Sequence, residues 1–201
     1  MRIFAGELGG RQIKSPPGLA TRPMLDRVRE ALFNTLAFEV PDARVLDLFS
    51  GTGSLGLEAL SRGAAEAFFI EQDRRTARLL SANVETLGVG DRARVLTGDA
   101  LASDLWGAEP WDLVLLDPPY PMVKDAEGLE RVYEALERLA TGALAPDGVA
   151  VLHAPRGLLR PSQIPSGFAS RLREYGNQAL WYLRHAADAE APAEPREESK
   201  P

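Results

Sequence analysis

Four consecutive residues of this chain are best suited to chemistry: Asp117, Pro118, Pro119 and Tyr120. They follow an apolar run, residues 111–116, that predicts a buried parallel strand. In open α/β sheets, ligands bind just past the carboxyl ends of the strands. The carboxylate and the Pro118 carbonyl can accept hydrogen bonds from an amino group, and the tyrosine ring can stack on a flat partner. The loop is therefore suited to holding the exocyclic amino group of a nucleobase. The alternative is a Pro-Pro turn that only ends the strand.

A glycine-rich turn lies earlier in the chain, with the pattern Gly51-x-Gly53-x-x-Gly56. Small residues let the backbone approach a ligand, and the helix that follows presents free N–H groups to it. An acidic residue, Glu71, ends the next predicted strand about 20 residues further on, where nucleotide-binding folds hold a ribose diol. These features predict an adenosine-type ligand, with NAD as the first candidate.

Two aspartates favour S-adenosylmethionine over NAD. Asp47 precedes the glycine turn at the end of a strand, where a carboxylate would repel a pyrophosphate but can fix an α-amino group, directly or through water. Asp99 follows the third predicted strand and can accept a hydrogen bond from an adenine amino group. Together with Glu71 and Asp117 they form an acidic row that suits a cationic cofactor and a donor-rich base. The alternative is that each acid only caps the helix or turn that follows it.

The order of the elements predicts an α/β fold. Strands are expected over residues 44–49, 67–71, 93–97, 113–116 and 149–152, and helices over 54–62, 73–87 and 126–140. Alternation of this kind implies a parallel sheet with helices on both faces. Two short strands around Gly176-Asn177 add an antiparallel hairpin, which gives a mostly parallel seven-stranded sheet.

Three regions are expected along the chain. Residues 1–38 form a small hairpin and a helix, with Leu25, Val28, Leu32 and Leu36 on its apolar stripe. Residues 39–185 form the main domain, and residues 186–201 an acidic, disordered tail. The charges are uneven: residues 1–36 carry a net +3, whereas the whole chain carries −6. Since local patches govern nucleic-acid binding more than the total charge, the N-terminal region is the expected contact for a nucleic acid.

Composition excludes several classes of protein. Without cysteine there is no disulfide, no thiol nucleophile and no cysteine-based zinc site, and the two histidines, His153 and His185, are too few for a metal cluster. No apolar run approaches the roughly 18 residues of a membrane span, and the N-terminus has no signal-peptide pattern. We therefore expect a cytoplasmic, monomeric protein without a bound metal.

A longer set of motifs resembles a known family. The chain is similar to the bacterial RsmD family in five features taken together. These are the stretch Arg22-Pro-x-x-Asp-Arg27-Val-Arg-Glu30, the glycine motif, Glu71, Asp99 and the Asp117-Pro-Pro-Tyr120 loop. The glycine motif and the Asp-Pro-Pro-Tyr loop alone are shared by amino-methylating class I methyltransferases. Met24-Leu25 departs from the family pattern, which usually has threonine followed by a small or polar residue.

The resemblance implies a Rossmann-like class I methyltransferase that uses S-adenosylmethionine to methylate a guanine N2 in 16S ribosomal RNA, free or within the small subunit or an assembly intermediate. It implies catalytic roles for Asp117, Pro118 and Tyr120. The implied cofactor-binding residues are Asp47, Phe49, Gly51, Gly53, Glu71, Asp99 and Ala100. The basic residues of the N-terminal region are the expected RNA contacts: Arg2, Arg11, Lys14, Arg22 and Arg27. The alternative for Arg27 is a contact with the cofactor carboxylate or a structural role, and no metal is expected.

Other functions stay open at this point. A DNA amino-methyltransferase acting on adenine N6 or cytosine N4 would share the same loop, because the loop does not distinguish guanine from adenine. A non-catalytic RNA-binding or ribosome-assembly factor could retain the fold, although the intact Asp117-Pro-Pro-Tyr120 loop argues against it. An NAD oxidoreductase would need an acid–base residue for hydride transfer, which is not evident.

Overall fold

The structure is a computed structural model, and it describes residues 1–15, 24–108 and 110–186. Arg22 and nearly all of the acidic tail lie outside these ranges. Within these ranges there are seven strands: β1 Arg44–Leu48, β2 Glu66–Glu71, β3 Ala93–Thr97, β4 Trp111–Leu116, β5 Leu144–Pro155, β6 Phe168–Tyr175 and β7 Gln178–His185. They form one sheet in the order β3-β2-β1-β4-β5-β7-β6. Strands β1 to β5 are parallel to one another, and β7 is antiparallel to both β5 and β6.

The described part of the chain contains five α-helices: α1 Asp26–Thr35, α2 Gly56–Ser61, α3 Arg74–Leu87, α4 Tyr120–Lys124 and α5 Ala126–Arg138. The mostly parallel sheet with an antiparallel C-terminal hairpin was predicted, and this prediction is confirmed. The ends of α3 follow local chemistry. Asp73 caps its start by accepting from Thr76 N–H at 2.8 Å, and Gly88 ends it in the left-handed conformation.

Alternation along the strands divides the core into two layers. Leu113, Leu115, Val149 and Val151 face the layer that contains α1, α2 and α3. The intervening residues of β4 and β5 face the layer that contains α5. The tryptophans Trp106, Trp111 and Trp181 are at most 2% exposed. They are core residues.

Residues 1–15 form the predicted small hairpin, which packs on α2. The carboxylate of Glu58 is fully buried and accepts a hydrogen bond from Phe4 N–H at 2.7 Å. Ser61 Oγ accepts from Leu8 N–H at 3.0 Å. Two buried polar side chains of α2 therefore fix the backbone of the hairpin to the main domain, because a buried polar group is costly unless it is hydrogen-bonded.

One prediction for the region that follows is corrected. Leu25 precedes α1 in an extended conformation and is 43% exposed, so it is not on the apolar stripe. Arg29 occupies a buried position instead. Its guanidinium donates to Arg2 O at 2.8 Å and lies 4.4 Å from the centre of the Phe4 ring. Burial lowers the pKa of Arg29, but these contacts compensate the buried cation.

Two elements near the predicted site also differ from expectation. β5 covers Leu144–Pro155 rather than residues 149–152, since it also includes residues 144–148, where its pairing with β4 shifts register. The short helix α4 was not predicted. Pro119 is its N-cap and a further proline lies in its first turn, where the missing N–H removes no helical hydrogen bond.

The glycine at position 6 is expected to be required for docking of the hairpin. It has φ +80°, and a Cβ there would lie 1.7 Å from Ser61 O, whereas Gly10 has φ +82° with no atom within 4 Å of such a Cβ. Both Gly→Ala changes share the cost of a positive φ, about 1 kcal/mol. Gly6→Ala should lose a further 1–3 kcal/mol or so through the clash. Urea denaturation of both variants measures the difference, and equal losses would contradict this account of the docking.

Candidate functional site

The predicted acids lie at the carboxyl edge of the sheet. β1 and β4 are neighbours at its centre, with Asp47 opposite Leu115 and Leu48 opposite Leu116. Asp117 is the first residue after β4, and Glu71 is the last residue of β2 on the other side of β1. The fold therefore brings Asp47, Glu71 and Asp117 to one edge although they are distant in sequence.

Two of these carboxylates hold the glycine turn. Asp47 Oδ2 accepts from Gly56 N–H at 2.9 Å, and Glu71 Oε2 accepts from Gly51 N–H at 2.8 Å. Glu71 also accepts from Asp73 N–H at 2.8 Å, which ties the turn to the start of α3. The sequence predicted that both acids meet a ligand. In the structure their hydrogen bonds go to the backbone that such a ligand would approach.

The shape of the turn depends on its glycines. Gly51 and Gly53 both have positive φ, which favours glycine. A Cβ at Gly53 would lie 2.3 Å from Leu80 Cδ1, so this glycine is required by close packing. A Cβ at Gly51 would meet no atom within 4 Å, so the backbone there borders open space. Phe49 also has a positive φ of 62° and is half-buried directly before the turn.

Asp117 and Glu71 place two carboxylates near Asp47, and a negative charge on the buried Asp47 is therefore unfavourable. The pKa of Asp47 is raised to about 8, mainly by burial and to a smaller extent by repulsion from Asp117 and Glu71. The hydrogen bond from Gly56 N–H acts in the opposite direction. A cation bound at this edge would relieve the repulsion, whereas a pyrophosphate would increase it.

The stability of the protein should reveal this buried acid. Asp47 keeps its proton up to about pH 8 in the folded protein but loses it near pH 4 when unfolded. The folded state therefore binds more protons between these values, and its stability falls as the pH rises through this range. Asp47→Asn retains an acceptor for Gly56 N–H and removes the titration. Relative to this variant, the wild-type free energy of unfolding should fall by up to ~1.4 kcal/mol per pH unit.

Urea denaturation at several pH values between about 5 and 8 tests this expectation. The exposed Asp91, at the opposite edge of the sheet, provides a control, since Asp91→Asn should keep the wild-type pH dependence. Parallel curves for the wild type and Asp47→Asn would contradict the raised pKa.

Asp99 and Ala100 follow β3 near the same edge. Asp99 Oδ1 accepts from Leu101 N–H at 3.0 Å, and Oδ2 forms an ion pair with Arg131 of α5. Ala100 is buried, and its carbonyl accepts from the Trp106 indole N–H at 2.9 Å. The Asp99 side chain is 39% exposed, so it remains accessible to a ligand beside its ion pair.

The loop after β4 places its residues around a buried histidine. Asp117 Oδ1 lies 2.7 Å from His153 Nδ1, and the Asp117 side chain is 27% exposed while that of His153 is 1% exposed. Pro118 is buried, and Tyr120 is half-buried at the start of α4. The rings of Tyr120 and His153 have centroids 5.8 Å apart. The carboxylate thus has one oxygen held by the protein and a partly exposed surface at the edge of the sheet.

The expected RNA-binding residues have different surroundings. Arg11 donates to Leu87 O at 3.1 Å and to Thr86 O at 2.7 Å, which satisfies carbonyls at the end of α3. Arg2 and Arg27 are exposed, and the Arg27 guanidinium lies beside Gly176 in the turn between β6 and β7. The predicted contact at Arg22 lies outside the described residues.

Lys14 is fixed next to the glycine turn by a residue that the sequence analysis did not single out. Asn83 is 1% exposed, and its side chain donates to Lys14 O at 3.0 Å and to Thr52 O at 3.1 Å. Its Oδ1 accepts from Lys14 N–H at 2.9 Å. The hairpin therefore ends beside the candidate cofactor site with the exposed Lys14 side chain at its border.

Comparison with known proteins assigns the family. The family model described as Conserved hypothetical protein 95 matches residues 1–184. The chain belongs to this family, which is the RsmD family predicted from the sequence. "Ribosomal RNA small subunit methyltransferase D" of Escherichia coli K12 is 45% identical over 120 residues, and the alignment covers 60% of each chain. The alignment thus spans less than two thirds of that relative.

Other relatives match over more of their length. YlbH of Bacillus subtilis strain 168, provisionally named an rRNA methyltransferase, is 32% identical over 182 residues, which cover 88% of this chain and 94% of YlbH. The solved structure of yhhF from Escherichia coli has a TM-score of 0.79 at 37% identity and covers 92% of this chain and 98% of that one. A hypothetical protein from Thermus thermophilus has a TM-score of 0.72 at 33% identity, covering 92% and 99%. The fold of this RsmD-family chain is therefore that of a class I methyltransferase, as predicted.

Three residues of the candidate site were not assigned a site role from the sequence: Asn83, Arg131 and His153. Only His153 left a usable signal. It is a polar residue that continues an apolar run in a predicted central strand, and such a residue usually has a buried partner. The partners of Asn83 and Arg131 come from other elements, so periodicity alone does not identify them.

The described residues lack two kinds of feature. No group of three or more histidine, cysteine, aspartate or glutamate side chains within residues 1–15, 24–108 and 110–186 is arranged to hold a metal ion. In the same part of the RsmD-family chain, no helix is long and apolar enough to cross a membrane.

Proposed function

We propose that this protein transfers a methyl group from S-adenosylmethionine to the exocyclic N2 amino group of a guanine in 16S ribosomal RNA. The observation that carries this proposal is the position of Asp117. Its carboxylate follows β4, lies at the same edge as the glycine turn after β1, and keeps Oδ2 without a hydrogen-bond partner among the described residues. An acceptor for an amino group and a cofactor turn therefore lie on adjacent strands.

The residues at this edge fit S-adenosylmethionine better than NAD. The negative charges of Glu71 and Asp117, which also help to raise the pKa of Asp47, favour a ligand with positive charge and disfavour a phosphate. Open space beside Gly51 lets the ligand approach the backbone of the turn. We propose that this edge holds the cofactor, through Asp47, Phe49, Gly51, Gly53, Glu71, Asp99 and Ala100.

Individual contacts within this site follow from the hydrogen bonds already made. Asp47 is buried beneath the turn and would act on an α-amino group through the backbone or a bridging water. Glu71 lies at the end of β2, where the ribose hydroxyls would be held. Asp99 is partly exposed and would accept from the adenine amino group.

When bound, S-adenosylmethionine would supply the methyl group from its sulfonium, and the neutral thioether would be the leaving group. The guanine amino nitrogen is a weak nucleophile because its lone pair is delocalised into the ring. Asp117 Oδ2 and the Pro118 carbonyl would accept its two N–H groups and so favour the pyramidal form, in which the lone pair is free to accept the methyl group. The nitrogen then releases one proton, to Asp117 or to water. Acceptors fixed before the reaction stabilise the positive charge that develops on nitrogen.

Tyr120 and the basic residues would bind the RNA. The Tyr120 ring borders Asp117 and can stack on the target base, which has to leave its own stack or lie in a loop to reach this edge. Arg2, Arg11, Lys14, Arg22 and Arg27 would contact the phosphates, and Lys14 stands beside the glycine turn. A small basic surface suits a substrate whose folded shape provides specificity. The names of the relatives support ribosomal RNA as this substrate.

Transfer of a labelled methyl group tests the proposal. Small ribosomal subunits and free 16S RNA from a strain that lacks this gene are incubated with the protein and methyl-tritiated S-adenosylmethionine. The labelled RNA is then digested and its nucleosides identified by mass spectrometry. We expect N2-methylguanosine in at least one of the two substrates. Label in duplex DNA alone, or in adenosine, would replace the proposed substrate, and the absence of any transfer would leave a non-catalytic RNA-binding factor.

A further inference from the structure

His153, the buried histidine beside Asp117, takes no part in the methyl transfer proposed above. His153 lies in β5, and Leu116 of β4 pairs with Leu152 of β5. The next pair in this parallel register is Asp117 with His153, so the two side chains leave the sheet on the same face. This face also carries Asp47, because it alternates with Leu46 and Leu48 in β1. The fold therefore places an imidazole directly beside the proposed amino-group acceptor.

The surroundings of His153 give it few polar contacts. Its neighbours along the strand, Leu152 and Ala154, are buried apolar residues, and Leu180 of β7 is opposite it. Within the part of the chain that the structure describes, Nδ1 contacts Asp117 Oδ1 at 2.7 Å and Nε2 has no hydrogen-bond partner. Burying an imidazole in such an environment is unfavourable unless it is hydrogen-bonded. The contact with Asp117 is thus the polar interaction that fixes the ring.

The same contact limits the freedom of the Asp117 carboxylate. A carboxylate at a strand end can rotate about its last torsion, which is broad and roughly two-fold. A hydrogen bond from a buried ring to Oδ1 removes this rotation. Among the described residues Oδ2 has no such partner, and the Asp117 side chain is 27% exposed. The Tyr120 ring, 5.8 Å from the imidazole, is packed against the same histidine.

We propose that His153 is a positioning residue that donates Nδ1–H to Asp117 Oδ1 and thereby directs Oδ2 at the amino group of the target base. This inference rests on the proposed methyl transfer. His153 does not touch the substrate, since its side chain is 1% exposed. It acts by holding the carboxylate in one orientation before the base enters. Ordering of this group therefore adds nothing to the activation free energy of methyl transfer.

Kinetics with two substitutions separate a hydrogen-bond donor from a packing residue. His153→Leu removes the donor at similar size. His153→Asn places an amide N–H close to the position of Nδ1. We expect His153→Leu to lower kcat by roughly 10- to 100-fold, the range expected for loss of a hydrogen bond to a charged group. The dissociation constant for S-adenosylmethionine should be little changed, and His153→Asn should recover most of the lost kcat although it leaves a larger cavity.

The second histidine provides a matched control. His185 lies at the far end of β7, where Nε2 contacts Leu144 O at 3.2 Å. His185→Leu should therefore keep the wild-type kcat. If His153→Leu turns over as fast as the wild type, or His153→Asn is as slow as His153→Leu, the positioning role is overturned. If the wild type itself transfers no methyl group to ribosomal RNA or small subunits, the proposed function fails first.

A spectroscopic measurement tests the pairing without catalysis. In nitrogen-15 spectra of the full-length protein, the ring of His153 should carry its proton on Nδ1, with Nε2 unprotonated. His153→Asn assigns the signal by its disappearance. Asp117→Ala should release the Nδ1 proton to exchange with water. A ring protonated on Nε2 alone, or an Nδ1 proton equally protected in Asp117→Ala, would overturn the proposal whatever the kinetics show.

Discussion

Replacing Asp117 by alanine is expected to lower kcat for methyl transfer by about 10²- to 10⁴-fold, the usual range for loss of a group that accepts a proton or hydrogen bond in the transition state. The change removes the acceptor that frees the lone pair of the amino nitrogen. It leaves the glycine turn intact, because this turn is held by Asp47 and Glu71. Steady-state transfer of labelled methyl, together with calorimetric titration of S-adenosylmethionine, measures the two effects separately.

Two further variants sharpen this test. Asp117→Asn keeps the size of the side chain, but its amide N–H₂ would face the substrate amino group with a donor instead of an acceptor, so it should be nearly as slow as alanine. Asp91→Ala removes an exposed carboxylate at the opposite edge of the sheet and should turn over normally. Near-normal turnover by Asp117→Ala would remove this residue from the mechanism.

Replacing Tyr120 by alanine is expected to weaken RNA binding rather than slow the chemical step. Stacking of one base on an aromatic ring contributes about 1–3 kcal/mol, which corresponds to a rise of about 5- to 150-fold in the dissociation constant. The KM for RNA should rise by a similar factor, with a smaller change in kcat. The physical reason is that the ring binds the base in the ground state and the transition state alike.

The phenylalanine variant separates the ring from its hydroxyl group. Tyr120→Phe retains the stacking surface, so its affinity for RNA should remain close to that of the wild type. Filter binding of the RNA at fixed salt compares the three proteins, because salt alters the phosphate contacts. An unchanged affinity in Tyr120→Ala, or an equal loss in both variants, would show that stacking is not the role of this ring.

Much of the fold was predictable because its signals are local. Asp73 caps α3 and Gly88 ends it, as their residue types indicate. The hairpin at Gly176-Asn177 forms between β6 and β7. Prediction was weaker at boundaries. Leu25 has the spacing of an apolar stripe, yet it lies outside α1 because the backbone is extended there. Its N–H donates to Gln178 Oε1 at 3.4 Å, a partner that is distant in sequence.

The candidate site was predictable only in part, because many of its contacts join residues that are distant in sequence. That Asp47, Glu71 and Asp117 share one edge follows from the rule that parallel strands align their carboxyl ends. What each carboxylate contacts did not follow. Glu71 bonds the Gly51 backbone, and Asp99 pairs with Arg131, 32 residues away. Such contacts depend on how helices and loops pack against the sheet, which periodicity does not encode.

The sequence by itself determined the class of this protein: the glycine turn, the acidic row and the Asp117-Pro-Pro-Tyr120 loop each follow a strand, and their order along the chain is enough to define a methyltransferase-like edge. The tertiary structure decided which groups are available at that edge. It buries Asp47 beneath the turn, and it aligns β4 with β5 so that His153 meets Asp117. Burial and strand register are properties of the packed sheet, so the pKa of Asp47 and the orientation of Asp117 follow from the fold rather than from any motif.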